Sequence, residues 1–139
     1  MYQIIYGATA LTPFTPADLE ELLRKSREKN RMLKISGLML YKDGSFIQVL
    51  EGPDKEVREL YATIELDFRL QTVICLSQKA IEEREFGERP MGFANVTALT
   101  EAERPDLAYF RAESMTPETL ATKPNRAREL LELFRRNMT

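Results

Sequence analysis

Apolar and polar positions alternate or recur in an order that predicts successive elements. Residues 2–8, YQIIYGA, read as a strand with Tyr2, Ile4 and Tyr6 on one face and Gln3 and Ile5 on the other. A loop with Pro13 follows. Thr15 then has the place of an N-cap, Pro16 that of the first helical residue, and Asp18 closes a box-like cap. Leu19, Leu22, Leu23 and Ser26 follow helical spacing, and Asn30 continues the stripe, so its side chain is expected to point inward at the helix end. Ile35 to Tyr41 predicts a second strand, Lys42-Asp43-Gly44 a hairpin turn, and residues 44–52, GSFIQVLEG, a third strand. A second helix is predicted from Pro53 to about Asp67, with Val57, Leu60, Tyr61 and Ile64 on one face. Thr72 to Ala80 predicts a fourth strand. The charged segment IEEREFGERP leads to a fifth, Met91 to Val96. Turns around Pro105 and Pro117 precede a final amphipathic helix, from about Asn125 to Asn137, whose apolar side is Leu130, Leu131 and Phe134.

The third strand poses a physical problem. Phe46, Gln48 and Leu50 share one face; Ile47, Val49 and Glu51 share the other. Both faces are mostly apolar, so the strand is expected to be buried on both sides. An unpartnered amide there would cost about 1–3 kcal/mol. The order β-α-β-β-α-β with an added strand predicts a ferredoxin-like α+β sandwich with C-terminal helices. Right-handed crossovers put both helices over one sheet face, and strands one and three become neighbours. Tyr6 and Gln48 then approach each other beneath the helices, with Asn30 at the end of the first helix. An apolar slot carrying a few polar groups suits a flat heteroaromatic ligand. Each residue also has an ordinary reading: Tyr6 as a core tyrosine, Gln48 as an amide satisfied by backbone, Asn30 as a helix C-cap. These patterns lead to a pocket and leave its ligand open.

Composition narrows the chemistry. A chain of 139 residues with 43% hydrophobic and 30% charged content suits one globular domain. A net charge of −2 with no basic face argues against nucleic-acid binding. No apolar run long enough to cross a membrane and no signal-peptide pattern are present, which predicts a cytoplasmic protein with no membrane partner. The single cysteine, Cys75, excludes an internal disulfide and lies in the apolar run 72–76, where it reads as a small buried residue. Histidine is absent, which removes histidine-based triads and histidine metal sites, and tryptophan is absent as well.

Four blocks carry a resemblance to a known family. They are Ile4-Ile5-Tyr6, Ser26-Arg27-Glu28-Lys29-Asn30, Ile35-Ser36-Gly37-Leu38-Met39-Leu40-Tyr41 and Phe46-Ile47-Gln48-Val49-Leu50-Glu51-Gly52. With their spacing, and with Val57, Tyr61, Ile64, Asp67, Arg69, Arg84, Phe86 and Met91, they resemble the BLUF domains, blue-light receptors using FAD. The resemblance covers residues 1 to about 97; residues 98–139 are expected to form a helical extension packing on the sheet.

The resemblance implies roles. Asn30 would bind the polar edge of the isoalloxazine ring. Gln48 would bridge flavin N5 and C4=O to the Tyr6 hydroxyl. Tyr6 would donate an electron and a proton to the excited flavin, and Gln48 would relay the proton and return in a rearranged hydrogen-bond state. Met91 would sit beside Gln48 and carry the change to the fifth strand. Arg69 and Lys29 would lie near the flavin edge or side chain. The implied protein is a photoreceptor and not an enzyme. It would bind FAD, with FMN or riboflavin as options, and signal through self-association into a homo-oligomer or through a downstream protein.

The chain departs from the family pattern at four places. Ala8 stands where Ser is common, Arg89 where Trp is frequent, Leu70 where His is usual, and Lys29 where Asn, Arg or His is frequent. Ala8, Leu70 and Arg89 motivate an alternative, a flavin-free BLUF-like interaction module. An acylphosphatase-like hydrolase of the same fold class would need an anion-binding loop, and Gly7-Ala8-Thr9-Ala10 has one glycine.

Overall fold

The computed structural model describes residues 1–95, 116–123 and 125–135. The element order is β1 (Tyr2–Ala10), α1 (Pro16–Leu33), β2 (Ser36–Lys42), β3 (Ser45–Gly52), α2 (Asp54–Glu65), β4 (Leu70–Ala80), β5 (Gly92–Asn95), α3 (Pro117–Ala121) and α4 (Arg126–Arg135). The five strands form one sheet in the order β4-β1-β3-β2-β5. All neighbouring pairs are antiparallel except β2 and β5, which run parallel. This is the expected ferredoxin-like arrangement with one added edge strand.

Local chemistry sets the boundaries. Thr15 accepts from the Asp18 backbone N–H and the Asp18 carboxylate accepts from the Thr15 N–H, so the capping box is complete. Helix α1 runs past Asn30 to Leu33, and Lys34 ends it in a left-handed conformation. Asn30 is therefore a buried helical residue and not a C-cap. Asp43 and Gly44 both have positive φ, as a two-residue primed hairpin turn requires. Helix α2 stops at Glu65, short of Asp67, because the Asp67 carboxylate turns to accept from the Arg69 backbone N–H.

Each sheet face carries its own core. Tyr2, Ile4, Tyr6, Met39, Leu50 and Met91 pack beneath Leu19 and Leu23 of α1 and Val57 and Leu60 of α2. Ile5, Leu38, Leu40, Ile47 and Val49 pack on the other face against Phe86, Leu120 of α3, and Leu130 and Leu131 of α4. Burying each of these two α4 leucines is worth about 1.5–3 kcal/mol relative to exposure. Strand β3 is buried throughout, as its pattern requires.

Two further expectations change. Cys75 is exposed, because β4 is an edge strand with no fully buried residue and with a register shift opposite Ile5 and Tyr6. Pro117 opens a short helix instead of a turn, with Thr116 as its N-cap. The final helix, where described, spans Arg126–Arg135, within the predicted range. The turn at Pro105, the strand end at Val96, the division at residue 97, the side chain of Phe134 and the helix end at Asn137 lie outside the described residues. No helix among the described residues is long and apolar enough to cross a membrane.

Candidate functional site: a cavity over a phenol–amide pair

Tyr6 and Gln48 are direct cross-strand partners on the α1/α2 face. Both are buried, and the Tyr6 hydroxyl donates to Gln48 Oε1. Gln48 Nε2 donates to Met91 Sδ at 3.3 Å. Every polar atom of this amide therefore has a partner, but the two partners differ. The phenol is a good donor; a thioether is a weak acceptor. Burial, with smaller contributions from Tyr61 and Asp67, pushes the Tyr6 pKa far above that of a free phenol, so the group is a neutral donor at physiological pH. Met39 is the cross-strand neighbour of Gln48 on its other side.

Above this pair lies a cavity of about 230 Å³ between α1 and α2. Tyr6, Gln48 and Met39 form part of its floor, and Leu22 and Ile64 are among its apolar walls. Lys25, Lys29 and Arg69 are the cations of its lining. Arg69 makes a two-pronged ion pair with Asp67, whose carboxyl it holds below the usual aspartate range. Tyr61 stacks at a tilt on Tyr6, 5.5 Å between ring centroids, and burial raises its pKa to about 12.

The expected residues thus fall into two groups. Tyr6, Gln48, Lys29 and Arg69 line the cavity. Asn30 and Met91 do not line it and act on its border. Asn30 Nδ2 donates to the Pro90 carbonyl at 2.7 Å, and Met91 lies directly against Gln48. Arg27, which sequence reading left without a role, donates through Nε to the Met91 carbonyl at 2.9 Å. Arg27 and Asn30, three residues apart on one helix, fasten the segment that carries Met91 to the cavity wall; that spacing was the available signal.

Sequence reading also missed a second polar cluster, on the opposite face. Glu51 is fully buried, and its carboxyl oxygens accept from the backbone N–H groups of Glu85 and Phe86 and from Gln3 Nε2. Gln3 is fully buried too, and its Oε1 accepts from Arg128 of α4 at 2.6 Å. Arg84 donates to Ser36 Oγ and to the Glu51 and Lys34 carbonyls, fixing the β4–β5 connection to the sheet. Among the described residues no cluster of His, Cys, Asp and Glu could hold a metal.

A ferredoxin-like sheet roofed by two helices, with a slot ending on a hydrogen-bonded phenol and amide, defines a domain shaped to hold a flat ligand against a polar pair. The chain belongs to the BLUF family, described as sensors of blue-light using FAD, whose pattern matches residues 1–92. It is 34% identical over 83 residues to photoactivated adenylate cyclase subunit beta of Euglena longa, covering 60% of this chain and 10% of that protein. It is 26% identical over 116 residues to the blue light- and temperature-regulated antirepressor BluF of Escherichia coli (strain K12), covering 84% of this chain and 28% of that one. The chain thus spans between about a tenth and a quarter of these curated relatives. The dark-state structure of BlrB, a BLUF protein, superposes with a TM-score of 0.75 at 26% identity, covering 97% of this chain and 95% of that one.

Proposed function

We propose that this chain is a blue-light photoreceptor that holds FAD in the α1/α2 cavity and passes a rearrangement of Gln48 to a partner protein or to a second copy of itself. The observation that carries the reading is the arrangement of Gln48: buried, fixed by a strong donor at Oε1, and held at Nε2, among the described residues, by a thioether. The cavity fits a flavin ring in chemistry, with apolar walls, a polar floor and cations along its lining. When bound, the flavin supplies blue absorption and an excited state that accepts an electron and a proton.

The residues of the chain then divide the work. Tyr6 provides the electron and proton, its phenol kept neutral by burial. Gln48 reverses its donor and acceptor pattern without a change of charge, an option that an amide has and a carboxylate lacks. Leaving Met91 costs little, because the Nε2–Sδ bond is weak, so the Tyr6–Oε1 bond is the main restraint on turning the amide. Inside a low-dielectric site the changed pattern is energetically significant. Asn30, tied through Nδ2 to the Pro90 carbonyl at the cavity border, would meet the polar edge of the ring only from that border, and Arg69 and Lys29, which line the cavity, would lie towards its edge or side chain. Met91 senses the amide and leads into β5.

The test is spectroscopic. The purified protein is expected to be yellow, with its flavin absorption shifting slightly to the red under blue light and recovering in the dark. Gln48→Leu is expected to bind flavin and lose the red shift. A shift of wild-type size in that variant would make Gln48 an ordinary core residue and remove the proposal's basis.

A further inference from the structure

Three consecutive carbonyls at the entry to β5 are each held by a different donor. Arg89 accepts from the Gly37 backbone N–H at 3.1 Å, Pro90 from Asn30 Nδ2 at 2.7 Å, and Met91 from Arg27 Nε at 2.9 Å. We infer that Arg27 is a positioning residue of the light response: it holds the Met91 backbone so that Sδ stays where Gln48 returns, and so sets the lifetime of the rearranged state. The inference rests on the photoreceptor reading of the α1/α2 cavity.

The weakness of the sulfur contact carries the argument. Met91 is 1% exposed, and its Sδ accepts from Gln48 Nε2 at 3.3 Å. A thioether on a flexible, unbranched side chain is too weak an acceptor to fix its own place. The backbone must present it, and the Met91 carbonyl is where Arg27 of α1 holds that backbone. A guanidinium bond to a carbonyl is charge-assisted and stronger than a neutral one. Arg27 is half-buried and does not line the cavity, whereas Asn30 stands at its border. Arg27 can therefore keep its hold while a ligand occupies the slot. When Gln48 rearranges, Sδ loses its donor but the carbonyl keeps Arg27. The sulfur stays within reach, and the amide returns to an acceptor already in place. Without Arg27 this part of the segment has to be ordered again first, a cost that pre-organisation otherwise removes.

The flavin-loaded full chain, illuminated and then followed in the dark, tests this. Arg27→Ala and the milder Arg27→Gln are both expected to bind flavin and show the red shift. Both are expected to recover more slowly than wild type, by about twofold or more, the lower range for residues coupled in one hydrogen-bond network. Arg27→Lys, which keeps a cationic donor, is expected to recover at a rate between wild type and Arg27→Ala. Arg27→Ala added to Met91→Leu is expected to recover at the rate of Met91→Leu alone, because the sulfur that Arg27 places is gone. A purely structural Arg27 would lower the melting midpoint and leave recovery unchanged. Unchanged or faster recovery in the folded Arg27 variants, or equal slowing by Arg27→Ala in the Met91→Leu background, would overturn the inference and leave the photoreceptor reading standing. Loss of flavin or of the red shift from these variants would also overturn it, by placing Arg27 in the binding site or the photochemistry itself. A wild-type chain that binds no flavin or shows no shift would overturn the photoreceptor reading and the inference with it.

Discussion

Tyr6 keeps its proton in the folded chain well beyond the pH at which an exposed phenol, with a pKa near 10.0, would lose it. Its folded pKa is raised, so its contribution is fully present below pH 10 and declines as pH climbs from there towards the folded value, because the unfolded chain then binds fewer protons. The expected outcome is an alkaline loss of stability beginning near pH 10, to which Tyr6 adds up to about 1.4 kcal/mol per pH unit. Tyr61, raised to about 12, contributes over part of the same window. Urea titrations at stepped alkaline pH should show a shallower loss in Tyr6→Phe than in wild type. Parallel curves would mean that the phenol is solvated in the folded state. The residue scale was partly legible in advance. An amide at position 48 between apolar neighbours announced itself as anomalous, the predicted strand order brought Tyr6 to it, and the family resemblance put Met91 beside it, but nothing local showed that its Nε2 would donate to the thioether.

Helix α4 is held to the sheet by two kinds of force. Leu130 and Leu131 are buried against Ile47, Val49 and their neighbours. Arg128 donates to Gln3 Oε1 and to Glu85 Oε1 and lies over the Phe86 ring, 5.5 Å from its centroid. Gln3 is fully buried, so losing Arg128 leaves an amide oxygen without its partner. Arg128→Ala is expected to destabilise the chain by about 1–3 kcal/mol. Arg128→Lys should recover only part of this, since a point charge cannot serve Gln3 and Glu85 with a planar fork. Chemical denaturation of both variants checks it, and an unchanged midpoint in Arg128→Ala would show that the leucines alone dock the helix. Gln3 and Glu51 were readable as strand positions but not as a network, because Arg128 lies 125 residues from Gln3 in the chain.

The two cores lie on opposite faces of one sheet, and β1 and β3 contribute to both. Unfolding either face uncovers strands that the other face needs. A single cooperative transition is therefore expected, with flavin fluorescence and far-UV circular dichroism tracing one melting curve. Added FAD is expected to raise that transition, by an amount equivalent to about 2.7 kcal/mol at a hundred times the dissociation constant. Two separate transitions would mean that the α3/α4 face and the α1/α2 face unfold independently.

Pattern alone determined the elements whose signals are local: the capping box at Thr15, the turn at Asp43-Gly44, the doubly buried third strand, and the order from which a ferredoxin-like sheet follows. Each depends on residues a few positions apart, so the physics is written in the neighbouring sequence. Tertiary structure decided what depends on distance across the fold. It exposed Cys75, because only the strand order makes β4 an edge. It turned the Asn30 amide nitrogen to Pro90, and it set Gln48 between the Tyr6 hydroxyl and Met91, because β1, β3 and the entry to β5 meet there only once the sheet has closed. It also brought Phe68, on the turn after α2, beside Leu11 of the loop before α1 and Lys25 in the middle of α1 around a second cavity.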